Sequence, residues 1–166
     1  MTKLSVKNAA IASVWYTLGN ILIKGINFIS LPIFSRIMTT EEFGIYNVFL
    51  SYDAILFVII GMALHSCVRS ANFDFKGKID EFISSISLIY IINLLILSGI
   101  VIFIPSLTTW LDFERKMLLM LVMYAFGSAL ITLYNNRIAI DYTYKKYIMV
   151  AALNSLGNVL LSLFFM

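Results

Sequence analysis

"GNILIKGINF", residues 19–28, places a lysine in the middle of an apolar run long enough to cross a lipid bilayer. Working outward, the apolar stretch extends from about Ala9 to Phe34. A bilayer core about 30 Å thick needs about 20 such residues of helix. The whole chain has this character: of 166 residues, 61% are hydrophobic and only 13% charged, with a mean hydropathy of +0.93. Soluble domains carry about 25% charged residues, so the composition specifies an all-α integral membrane protein.

Four further stretches of similar length follow, and the expected membrane spans are 9–34, 45–68, 82–104, 117–134 and 147–166. They form one transmembrane domain over 1–166. The connectors "SRIMTTEEFG", "RSANFDFKGKIDE", "PSLTTWLDFERK" and "NNRIAIDYTYKK" hold most of the charge and the turn residues Gly77 and Pro105. The N-terminus starts basic and becomes apolar, as a signal peptide does. Its apolar run, however, exceeds the 7–15 residues of such a peptide and meets no Ala-x-Ala site, so an uncleaved first helix is expected.

Basic residues are retained on the cytoplasmic side. With the N-terminus inside, the inner segments hold Lys3, Lys7, Arg69, Lys76, Lys78, Arg137, Lys145 and Lys146, against Arg36, Arg115 and Lys116 outside. The expected location is therefore the cytoplasmic (inner) cell membrane, multi-pass, with a cytoplasmic N-terminus. The net charge of +3 follows from this bias; it suits anionic membrane lipids, and no basic-aromatic motif points to nucleic acid. Trp110, Tyr134, Tyr142, Tyr144 and Tyr147 fall near span edges, where amphipathic rings prefer to lie.

A lysine near a helix centre costs about 2.5–3.5 kcal/mol on insertion scales, while each Leu, Ile, Phe or Val contributes about 0.3–0.6 favourably. Twelve such residues lie between Ile11 and Phe34, so the helix still inserts. At about 100° per residue, Ser13, Tyr16, Thr17, Asn20, Lys24 and Asn27 share one side of the helix. Two readings of this stripe stand side by side. It lines a water-filled substrate cavity, or it binds neighbouring helices by hydrogen bonds. A lysine between two asparagines favours the cavity.

Asp53 is the second intramembrane charge. It lies at a depth similar to Lys24, each about 12–14 Å from the outer end at 1.5 Å per residue. An ion pair is one expectation, and satisfaction by another helix or by water from the outer face is the other, because Asp53 sits off the face carrying Asn47, Ser51, Gly61 and His65. His65 lies at the inner end of the second span. Cys67 is the only cysteine, which excludes an intrachain disulfide and a thiol metal site. Gly61 with Ala125 and Ala129 offers close helix approach.

Catalytic motifs are missing: HExxH, CxxC, GxxxxGK[ST] and GxGxxG do not occur, and His65 is the single histidine. The chain is expected to be no enzyme, with no catalytic residue, cofactor or metal. The neighbouring Glu41 and Glu42 have a structural reading, since Thr39 and Glu42 have capping-box spacing at the start of the second helix.

The stretch "GNILIKGINFISLPIFSRIMTTEEFGIYNVFLS", residues 19–51, resembles the N-terminal part of the polysaccharide biosynthesis flippase family. The similarity lies in the mid-membrane Lys24 and polar stripe, Pro32, Arg36 in a P-x-x-x-R turn, and "EEFGIY". Such flippases export undecaprenyl-pyrophosphate-linked oligosaccharide repeat units, as for O-antigen, by alternating access of two helical lobes around a central cavity. The resemblance implies that Lys24 and Arg36 attract the pyrophosphate or sugar acids and that Asn20 and Asn27 bond sugar hydroxyls, with Tyr16 and Asp53 also at the cavity. It implies a glycan polymerase and other surface-polysaccharide machinery as partners. Five spans are fewer than one lobe needs, so a fragment or truncated lobe is expected. A drug or small-molecule exporter of the same superfamily, and a non-transporting assembly subunit, are the other functions left open.

Overall fold

The computed structural model describes residues 6–75, 77–140, 147–150, 152–153 and 157. The side chains of 6–12, 22–23, 26–27 and 29–31 lie outside that description. The described residues are helical, with no strand among them. They divide into two compact units, Met1–Gly44 with Ile138–Met166, and Ile45–Arg137.

In the first unit α1 runs Val6–Ile37, 32 residues, and contains Pro32. A proline removes one rung of the helix ladder, the one to the carbonyl four residues earlier; three residues on, Ser35 Oγ donates back to the Pro32 carbonyl at 3.0 Å. Helix α2, Thr40–Gly61, follows almost at once. The junction is a capping box. Thr39 N–H and Oγ–H both donate to Glu42 Oε2 at 2.8 Å, and Glu42 N–H returns a bond to Thr39 Oγ1 at 3.3 Å. This reciprocal pair satisfies donors that a helix start leaves open, as the Thr-x-x-Glu spacing predicts.

The second expected span, 45–68, is not one continuous helix. The capping box starts α2 at Thr40, and the helix stops at Gly61. Met62 (φ 44°) and Ala63 (φ 53°) then adopt left-handed backbone, a 3-10 turn covers Leu64–Cys67, and a short α3 covers Val68–Asp74. Two consecutive left-handed residues cannot continue a right-handed helix. The break is supported from α4, Ile79–Phe103, where Asn93 Nδ2 donates to the Ile60 carbonyl at 3.0 Å. Asn93 sits about 21 Å along α4, close to the middle of its about 38 Å length. The backbone break of α2 is therefore held at mid-helix depth of α4.

Helix α4 ends where Pro105 forbids helical backbone at the preceding residue; Ile104 is extended, and Pro105 opens α5, Ser106–Leu111. Asp112, left-handed at φ 53°, turns the chain into α6, Arg115–Ile140. The core of the second unit includes Ile60, Val68, Tyr90, Val122, Ala125, Ala129 and Leu133. Small residues set one approach: a Cβ on Gly61 would lie 3.8 Å from Ala129 Cβ and 3.7 Å from the Tyr90 hydroxyl. Gly61 and Ala129 thus meet as the small-residue reading expects.

Helices α2, α4 and α6 are long and apolar enough to cross a membrane. Large apolar side chains such as Leu95, Phe103 and Met120 stay exposed on them, which in water would be unfavourable and in lipid is ordinary. The first expected span, 9–34, falls within α1. The fifth, 147–166, lies outside the described residues except at 147–150, 152–153 and 157.

Candidate functional site

The polar stripe of α1 begins with a residue that satisfies itself. Thr17 Oγ1 donates to the Ser13 carbonyl one turn back at 2.9 Å, the usual outlet for a hydroxyl inside an apolar helix. Thr17 therefore asks little of its surroundings. Asn20 and Lys24 differ, because neither bonds a carbonyl of its own helix among the described residues, although an asparagine can, as Asn136 does to the Thr132 carbonyl at 2.9 Å.

Asn20 is exposed, and its Oδ1 accepts a hydrogen bond from the Tyr147 hydroxyl at 2.7 Å. The Tyr147 ring also stands edge-on to Tyr16, with centroids 4.9 Å apart, a favoured aromatic geometry. Between these contacts Gly19 is buried, and a Cβ there would come within 3.1 Å of Ile148 Cγ1. Glycine lets residues 147–148 approach α1 closely. One face of α1, at Tyr16, Gly19 and Asn20, is thus packed against residues 147–148 of the same unit.

Lys24 lies one turn beyond Asn20. It is exposed and makes no hydrogen bond or ion pair among the described residues. Arg36 is exposed in the last turn of α1, where a cation complements the negative helix end. The side chain of Asn27 lies outside the described residues.

Asp53 belongs to the second unit and Lys24 to the first. Asp53 Oδ1 is buried with no hydrogen-bond partner among the described residues. On α6, Tyr124 interacts electrostatically with Asp53 and with Tyr46, and its ring packs on Phe49 with centroids 5.9 Å apart. His65 stacks obliquely on Phe57 at 5.7 Å within the break that follows α2. Ser51, on the face away from Asp53, returns its hydroxyl to the Asn47 carbonyl at 2.8 Å.

Two residues of this arrangement are missed by sequence reasoning. Tyr147 is assigned there to a membrane edge, because a tyrosine next to two lysines fits that position; its bond to Asn20, 127 residues away, has no local signal. Asn93 is the one amide in the apolar run 86–104, and that isolation is a signal for a partner across helices. Between the last turn of α6 and the first turn of α4, Arg137 Nε donates to Asp80 Oδ1 at 2.9 Å.

No curated protein and no solved structure matches the chain. A family model described as polysaccharide biosynthesis protein matches residues 10–166, nearly the whole sequence, and reaches well beyond the stretch 19–51 that carries the resemblance. The chain belongs to the polysaccharide biosynthesis protein family.

Proposed function

We propose that this chain is part of a membrane transporter that flips undecaprenyl-pyrophosphate-linked oligosaccharide repeat units across the cytoplasmic membrane for surface polysaccharide synthesis. Membership of a polysaccharide biosynthesis family supports the pathway, and the helices α2, α4 and α6 support the membrane location. The observation that carries the reading is Lys24. A cation exposed at the middle of a bilayer-length helix, with no partner among the described residues, is costly unless it meets an anion or a hydrated cavity. A diphosphate headgroup is such an anion, and its pull is strong where water is scarce.

In this reading the N-terminus is cytoplasmic, and the α1 face carrying Asn20 and Lys24 lines the route of the headgroup. Arg36, in the last turn of the same helix, lies on the same route. The sugar chain follows the headgroup as the lobes alternate between inward and outward openings. The polymerase and other glycan machinery act on the product at the outer leaflet.

The test is deletion of the gene that encodes this sequence, followed by complementation. Loss of the lipid-linked surface glycan, restored by the wild-type gene and not by one carrying Lys24→Leu, is the expected result. Unaltered glycan after a clean deletion would refute the reading. Full complementation by Lys24→Leu would instead favour a non-transporting assembly subunit, which does not need the charge.

A further inference from the structure

The amide of Asn20 is oriented. Its oxygen is engaged by the Tyr147 hydroxyl at 2.7 Å, so its NH2 group, on the other arm of the planar amide, is turned away from Tyr147. No described residue accepts from that NH2 group, and Asn20 is exposed. One helical turn further, on the same side of α1, Lys24 is exposed with its ammonium unpaired among the described residues. The two side chains together offer two amide N–H and three ammonium N–H donors. A sugar hydroxyl both donates and accepts, and is best met by a mixed set such as a freely turning amide supplies. A phosphate oxyanion only accepts, and is best met by donors alone, more so when one of them is charged.

We infer that Tyr147 is a positioning residue, that its hydrogen bond holds the Asn20 amide in the donor-outward orientation, and that Asn20 with Lys24 binds a phosphate group rather than a sugar. The assignment rests on the flippase reading for the source of that phosphate and changes the role the family resemblance implies for Asn20. Tyr16 has a supporting part: its edge-on contact at 4.9 Å fixes the Tyr147 ring, and the close approach at Gly19 keeps residues 147–148 against the helix. A phenylalanine at 147 keeps the ring contact and loses only the hydroxyl.

The experiment uses the full chain in nanodiscs of zwitterionic lipid, with asparagine side chains labelled with 15N and the Asn20 signal assigned through Asn20→Gln. Inorganic pyrophosphate is expected to shift the Asn20 amide resonance, and a neutral disaccharide is expected to leave it unmoved. Tyr147→Phe should weaken pyrophosphate binding by about 3- to 10-fold, the size expected for losing one orienting hydrogen bond, with the thermal unfolding midpoint reported alongside. A purely structural role for Tyr147 would move the unfolding midpoint and leave the choice between pyrophosphate and disaccharide unchanged.

An equal response to the disaccharide, or unchanged pyrophosphate affinity in Tyr147→Phe, overturns the inference. Should that variant not fold, Asn20→Asp decides, since it keeps an acceptor for Tyr147 and replaces outward donors with negative charge. Retained pyrophosphate binding by Asn20→Asp would overturn it. A parallel titration with a polyprenyl pyrophosphate separates the sources: tighter binding assigns the site to a lipid-linked diphosphate, equal binding to the diphosphate itself. None of these readouts involves surface glycan, so failure here leaves the flippase reading standing, and a failed glycan complementation leaves this site standing.

Discussion

Replacing Asn93 with leucine tests how the break in α2 is held. The two side chains have the same number of heavy atoms branched at the same carbon, so the substitution removes a donor without opening a cavity. In the native structure the Ile60 carbonyl lies at the end of α2, and the left-handed Met62 and Ala63 prevent the helix from continuing. Met62 N–H still reaches back to the Val58 carbonyl at 2.8 Å; for Ile60 the Asn93 amide at 3.0 Å takes the place of the ladder partner. Leaving a buried carbonyl unmet costs about 1–3 kcal/mol, whereas interhelical hydrogen bonds measured in membrane proteins average about 0.6 and reach about 1.7 kcal/mol. Because the broken backbone has no ladder donor to fall back on, the upper part of the membrane range applies. Asn93→Leu is expected to cost about 1.5 kcal/mol, roughly a tenfold shift in the unfolding equilibrium. Equilibrium unfolding in mixed micelles measures it. Ser87→Ala is the control, because the Ser87 hydroxyl bonds only the Ile83 carbonyl of its own helix, at 2.9 Å, and should change stability by less than about 0.5 kcal/mol. An Asn93→Leu protein as stable as the Ser87→Ala control would refute the reasoning.

Ala63→Gly should stabilise the chain by about 0.5–1 kcal/mol in the same assay, since glycine relieves the left-handed φ of 53°; a destabilised variant would mean that Ala63 is not held in that conformation. Gly61→Ala should be tolerated, because its Cβ meets Tyr90 and Ala129 at ordinary contact distances of 3.7 and 3.8 Å, while Gly61→Leu should cost about 1–3 kcal/mol by overpacking; equal stability of the two would disprove the close approach. Gly19→Ala drives a methyl to 3.1 Å from Ile148 Cγ1, and the double variant with Ile148→Ala should recover part of the loss, which a double-mutant cycle reads as coupling of about 0.5 kcal/mol or more; strict additivity would sink it. Thr39→Ala removes one side of the capping box and should cost about 1 kcal/mol, with no loss in thermal stability as the contrary result.

Much of the fold follows from the chain's chemistry alone. Runs of Ile, Leu, Phe and Val near 20 residues long leave few options but helices in a bilayer, and Thr39, Glu42 and Pro105 mark boundaries through local hydrogen bonding and backbone sterics, which need only neighbouring residues. The polar stripe of α1 is equally local, a matter of 100° per residue. The break after Gly61 was not legible in this way. "VIIGMAL", residues 58–64, is apolar throughout and reads as a continuing span, because one glycine does not force a helix to stop; the turn is supported by Asn93, 33 residues from the Ile60 carbonyl that it bonds. The site shows the same division. That Asn20 and Lys24 share a face is sequence, since both lie on one helix four residues apart. Which way the Asn20 amide points is tertiary, because the decision belongs to a tyrosine hydroxyl 127 residues further on, and no spacing rule connects the two. Sequence determined that this protein is built of apolar helices of membrane length, with a lysine among the polar residues of α1; only packing across distant segments decided where a helix breaks and which atoms that lysine's neighbour presents.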